Sequence, residues 1–159
     1  MVRKLKKEED SNYYQNTRRV LFIASVYTHL DAFHIPFMKM LQDRGYDVYA
    51  AASSADGRKE EVQAAGITCW EIPFARSPYS LANIQAFRRL KALFKEYHFD
   101  LIHVHTPVAA FLGRYLAKTT GQGPVLYTAH GFHFYQCAPL RNWVIYYTAE
   151  RLAVRWTDG

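Results

Sequence analysis

Two short apolar runs, residues 100–105 (DLIHVH) and 124–129 (PVLYTA), flank a helix-length segment, and each run stops at a histidine. No other feature constrains the fold as tightly. Both runs have the length and apolar content of buried strands. Between them, residues 107–120 space Val108, Phe111, Leu112, Tyr115 and Leu116 on one helical face, with Thr106 placed as N-cap and Pro107 as first helical residue. Strand, helix and strand of these lengths close as a right-handed crossover onto a parallel sheet. The two loops then carry His105, Thr106, His130, Gly131 and His133 on one edge, where open α/β sheets hold their ligands.

The preceding residues repeat the alternation. Residues 20–25 (VLFIAS) form a continuous apolar run suited to a central strand, followed by an expected loop over 26–31 that holds Tyr27, Thr28 and His29. Residues 33–44 have helical spacing and end at Gly45, and either Pro36 lies in the first turn or the helix starts later than Phe33. A second strand is expected over 46–52, a short helix over 58–65 and a third strand over 67–72, closed by Pro73. The loop 74–80 contains Arg76 and Ser77. Residues 81–97 form the clearest amphipathic helix, with Leu81, Ile84, Phe87, Leu90, Phe94 and Tyr97 in one stripe and Arg88, Arg89, Lys91 and Lys95 elsewhere. The helical segment 140–156 is apolar on more than one side, which calls for a second partner surface, self-association included.

Five strands alternating with helices imply a doubly wound, mostly parallel Rossmann-like α/β sheet of order 3-2-1-4-5. The ligand crevice belongs where strands 1 and 4 diverge. Residues 1–17 are charged and polar and read as a flexible tail, leaving 18–159 as one domain. The abrupt close on RWTDG suggests a piece of a longer protein.

Several functional classes are excluded by what is missing. No glycine occurs between Ser25 and Pro36, so a dinucleotide pyrophosphate has no backbone cradle after strand 1. Neither a P-loop nor a GxSxG elbow is present. The net charge of +6 favours anionic partners, yet no nucleic-acid module is recognisable. The two cysteines do not form a disulfide framework, and neither a signal peptide nor a membrane-spanning run is apparent, which points to the cytoplasm. The basic side of segment 81–97 would suit peripheral contact with an anionic membrane.

Among candidate site residues, His130 comes first, because a strand-end histidine before a glycine can reach a substrate hydroxyl and accept its proton. His105 has the same position on the neighbouring strand, while His103 and His133 suit supporting roles. Arg76 could grip a phosphate or a sugar. HVH and HGFH bring no carboxylate or cysteine at a recognised ligand spacing, so neither metal nor cofactor is expected.

In FARSPYSLANIQAFRRLKALF, DLIHVHTPVAAFLGR, VLYTAHGFHFY and NWVIYYTAERLAVRWTD, taken in that order and spacing, residues 19–159 resemble the N-terminal half of a family 4 glycosyltransferase of the two-domain GT-B type. The nearest resemblance is to bacterial enzymes that build capsule and exopolysaccharide. It implies an acceptor-binding domain facing a donor-binding domain absent from this chain, with a nucleotide sugar and a saccharide or lipid-linked acceptor as substrates. Transfer would retain the anomeric configuration. His130 matches the histidine that approaches acceptor and reacting sugar, and Tyr27, Thr28, Arg76, Ser77, His105, Thr106, Gly131 and His133 fall in the matching substrate-contacting loops. Where many members have glycines after strand 1, this chain has Tyr27, Thr28 and His29. The chain by itself is then expected to be inactive. Competing readings are half of a GT-B sugar-nucleotide epimerase, or a non-enzymatic truncated module that binds lipid-linked sugar.

Overall fold

The computed structural model describes residues 18–159, so the tail expected over 1–17 lies outside the described residues. Strands β1 (Arg19–Val26), β2 (Asp47–Ser53), β3 (Thr68–Glu71), β4 (Leu101–His105) and β5 (Val125–Thr128) form one all-parallel sheet of order β3-β2-β1-β4-β5. This is the Rossmann-like order expected from the alternation. β1 is central because it is apolar on both faces, and it is buried from Val20 to Val26.

Its alternation sorts the core into two layers. Leu21 and Ile23 join Ile102, Val104 and the apolar faces of α4 (Ala82–Glu96) and α5 (Pro107–Thr120). Val20, Phe22 and Ala24 face the other way, toward Tyr27, Leu30 and Met38 of α1 (Tyr27–Phe33) and α2 (Ile35–Gln42) and Val62 of α3 (Lys59–Ala64). Helices thus cover both faces.

α5 lies close against the sheet at Gly113, where an added Cβ would stand 3.0 Å from both Ile23 Cδ1 and Val104 Cγ1. The next residue, Arg114, is 1% exposed, and its guanidinium donates to Glu150 Oε2 at 2.9 Å and lies 4.1 Å over the Tyr127 ring. That pair anchors the closing helical run to α5 and β5. Burial, followed by the Glu150 carboxylate, pushes the Tyr127 phenol up to about 12. Beyond the run, Asp158 N–H donates to Val125 O at 2.8 Å, and Tyr127 N–H donates to Gly159 O at 2.8 Å, so the last residues follow β5.

Three local expectations are corrected. The loop over 26–31 does not exist: Val26 is still extended, and α1 begins at Tyr27, so the strand passes directly into helix. The helix expected over 33–44 shortens to α2, with the later start that Pro36 left open: His34 (φ −120, ψ −12) separates it from α1, and Pro36, which has no N–H to continue α1, occupies the first turn of α2. The helix over 140–156 is a succession of α6 (Leu140–Asn142), a π-helical stretch Trp143–Tyr147, α7 (Thr148–Ala153) and a 3₁₀ turn Val154–Trp156. Leu140, Trp143, Val144, Tyr147, Leu152 and Val154 are exposed along it.

Candidate functional site

The C-terminal ends of β1, β4 and β5 meet in a cluster of imidazoles. His105 ends β4, His130 follows β5, His29 lies on α1 and His34 occupies the break after it. His103, two residues back on β4, faces the same side. Five of the chain's seven histidines therefore share one edge of the sheet. His34 stacks on His105 with centroids 3.8 Å apart, and His29 meets His130 edge-on at 4.4 Å. His105 and His130 are 5.6 Å apart. Phe22 floors the group, 6.2 Å below His105.

Packing these rings together fixes their electrostatics. Burial, then mutual repulsion among the histidines, lowers His29, His34 and His103 to about 4 and pushes His105 well below the imidazole range. Both ring nitrogens of His34 and of His105, and Nε2 of His29, are buried without a hydrogen-bond partner among the described residues. His103 is satisfied by Thr128 Oγ1 at 2.8 Å.

Beside the cluster is a cleft of about 390 Å³ whose walls include Thr28, His29, Arg76, Thr106 and His133. Thr106 closes its base. The N–H of Ser25 donates to Thr106 Oγ1 at 2.9 Å, the two hydroxyls are 2.8 Å apart, and the Thr106 hydroxyl donates to its neighbour's carbonyl at 2.6 Å. Thr106 therefore stands at the N-cap position of α5 without a side-chain capping bond, and the crossed tie to β1 holds it at φ +62. This corrects the capping role expected for it.

Thr28 donates to Asp56 O at 3.2 Å, and Arg76, the one Lys or Arg among the described residues on this wall, pairs with the Asp56 carboxylate. Ser77 is exposed, and its carbonyl accepts from Asn83 Nδ2 at 2.8 Å. Gly131 is exposed at φ +143, outside the range of other residues, and frees the chain to turn after His130. His133 sits edge-on to Tyr146 at 4.5 Å and reaches the cleft from the far side.

Two expected contact residues are corrected. Tyr27 is 0% exposed and donates its hydroxyl to Trp70 O at 2.8 Å, because the early start of α1 turns the ring into the core. His105 is also 0% exposed; it supports the cluster from below and offers a substrate entering from solvent no surface of its own. The members that sequence reasoning missed are His29 and His34. Pro36 was the available signal, since a helix break before it places His34 at a turn facing the sheet edge.

A second groove, of about 280 Å³, runs on from Pro107 and Val108, which it shares with the first, along Phe111, Leu112 and Ile145. Its lining is mostly apolar.

A sequence model of the family described as glycosyl transferase 4-like matches residues 19–158. The chain is 37% identical over 144 residues to EpsD of Bacillus subtilis (strain 168), a protein named as a glycosyltransferase, covering 89% of this chain and 36% of that protein. The chain thus spans about a third of the length of this relative. Among solved structures, it is similar to MurG of Acinetobacter baumannii (TM-score 0.61, 16% identity, 89% of this chain and 40% of that one). It is also similar to the calicheamicin glycosyltransferase CalG4 (TM-score 0.57, 17% identity, 88% and 42%) and to a UDP-N-acetylglucosamine 2-epimerase (TM-score 0.59, 14% identity, 89% and 38%). At these identities the structural likeness is one of fold.

Proposed function

The chain belongs to the glycosyl transferase 4-like family, and from that premise we propose that it is the acceptor-binding half of a retaining glycosyltransferase acting in cell-surface polysaccharide assembly. The observation that carries the reading is the juxtaposition of an exposed His130, on its glycine hinge, with the adjoining cleft at the ends of β1 and β4. A sugar hydroxyl entering that cleft meets Thr28, Thr106 and His133 as hydrogen-bonding groups, and His130, packed on the wall residue His29 at 4.4 Å, is the group that would orient it or take its proton. The apolar groove continuing from Pro107 supports an acceptor that joins a polar head to a hydrocarbon part, as a lipid-linked saccharide does.

Transfer from a nucleotide sugar requires stabilising the departing diphosphate, and among the described residues the one Lys or Arg on this cleft, Arg76, is tied to Asp56. Donor binding therefore belongs to a second domain in the whole protein, and the 159-residue chain alone does not turn over. No helix among the described residues is long and apolar enough to cross a membrane. The exposed Arg88, Arg89, Lys91 and Lys95 of α4 support work in the cytoplasm against the inner membrane face. The exposed apolar side chains from Leu140 to Val154 suit the second domain, that membrane or another copy of the chain.

The test is His130→Ala in the full-length, two-domain enzyme, following nucleotide release with a lipid-linked acceptor. A group acting in acid–base catalysis is worth roughly 100-fold or more in kcat/KM. Unchanged transfer would remove His130 from the reaction.

A further inference from the structure

The histidine cluster has a property that sugar transfer does not require. Four of its members, His29, His34, His105 and His130, each offer one ring nitrogen such that all four nitrogens lie within 4.8 Å of one another. We propose that these four residues bind a divalent transition-metal ion of the zinc class, tetrahedrally and through imidazole nitrogen alone. The inference goes beyond the transferase reading and does not depend on it.

Geometry is the first support. Four imidazoles around one ion at about 2.0–2.1 Å place their ring centroids roughly 5 Å apart. The six separations found here run from 3.8 Å for His34–His105 to 5.8 Å for His29–His105. Coordination would splay the stacked His34–His105 pair and draw His29 and His130 inward. Those two stand on the partly open side of the cluster, and His130 leads into Gly131, where an added Cβ would meet nothing within 4 Å. The adjustment is one of side-chain rotation and not of strand position.

The orphaned nitrogens are the second, independent support. Both ring nitrogens of His34 and His105 and Nε2 of His29 are buried with no partner among the described residues. Buried polar atoms are normally satisfied, and five in one cluster call for an explanation. An ion accepting one lone pair from each ring would engage up to three of these five, one each from His34, His105 and His29.

The donor set selects the ion. Neutral imidazole nitrogens suit zinc, cobalt, nickel and copper, whereas magnesium and calcium require oxygen ligands. A closed shell of four histidines leaves no open position for a metal-bound water, so the ion would pin α1, the break at His34, the end of β4 and the loop after β5 to one point. With the ion bound, His130 would meet an acceptor through its second ring nitrogen as a donor, which keeps the orienting role given it above and removes that of taking the proton.

The experiment uses the untagged 159-residue chain, stripped with chelator, and titrates it with Co²⁺ as a spectroscopic probe, followed by displacement with Zn²⁺. The expected result is one equivalent of Co²⁺ per chain, with the intense visible bands of a four-coordinate ion, lost on adding Zn²⁺. His130 is exposed, so His130→Ala keeps its fold by circular dichroism while weakening Co²⁺ binding at least ~10-fold and altering the bands. His105→Asn abolishes stoichiometric binding, and His98→Ala, outside the cluster, leaves it intact. If His105→Asn fails to fold, His130→Ala decides. Binding well below one equivalent, a weak six-coordinate spectrum, or full binding with unaltered bands in His130→Ala would overturn the site. Failure on any of these counts leaves the transfer assay untouched, and loss of transfer in the full-length His130 variant says nothing about metal stoichiometry.

Discussion

Lowering the pH from 7.5 to 5.0 in the presence of chelator destabilises this fold by loading protons onto the histidine cluster. His34 is 5% exposed, and its imidazole is held at about 4, first by burial and then by His29, His103 and His130. In the unfolded chain it titrates near 6.5. Because the folded value is the lower one, the unfolded state binds more protons throughout the interval between them. Stability is therefore complete above about pH 6.5 and falls as the pH drops toward the folded value. At 1.36 kcal/mol per pH unit, His34 accounts for about 2 kcal/mol by pH 5. His105, fully buried and displaced further in the same direction, adds a similar amount. His29 and His103 are more open to solvent, and their contributions are discounted for screening. The rings also titrate as a coupled group, which keeps the total below the sum. A loss of about 3–5 kcal/mol results, large against the 5–15 kcal/mol typical of a domain. Urea unfolding followed by circular dichroism at pH 7.5, 6.5, 5.5 and 5.0 reads it directly, with the midpoint dropping by about 1.5–2.5 M at an m-value near 2 kcal/mol/M. Stopping at pH 5 keeps most carboxylates ionised. A midpoint that stays constant or rises over this interval would refute the reasoning.

Two further outcomes concern the packing that supports the site. Glu150→Ala leaves the 1%-exposed Arg114 guanidinium without its carboxylate, and should cost about 3 kcal/mol in chemical unfolding, part of which Arg114→Met in the same chain restores. Gly113→Ala places a methyl 3.0 Å from Ile23 and Val104. Its gain in helix propensity does not offset that overpacking, so thermal unfolding should show a net loss of about 1–2 kcal/mol, reduced when Ile23→Val opens space.

Most of the sheet was legible from local pattern. Buried parallel strands appear as short apolar runs and their crossovers as helical spacing, which is why β4, α5 and β5 fall within a residue or two of the expected bounds. The handedness of the crossovers left few strand orders open, and the observed order is the doubly wound one expected among them. Thr106 and Tyr27 show where pattern reading fails. A hydroxyl before a helix reads as a cap, but Ser25, 81 positions earlier, claims it. An aromatic after a strand reads as a loop residue, but helix begins immediately and the ring is drawn into the core.

What the amino-acid sequence determined by itself is the alternation, the central position of β1, and the presence of histidines where β4 and β5 give out. Those properties are carried by neighbours in the chain, through periodicity and backbone preference. What only the tertiary structure decided is that His29 and His34 join them, that His105 is sealed beneath His130, and that five ring nitrogens are left without partners. Placing β1 beside β4 brings together groups more than seventy residues apart, and no local periodicity encodes that distance.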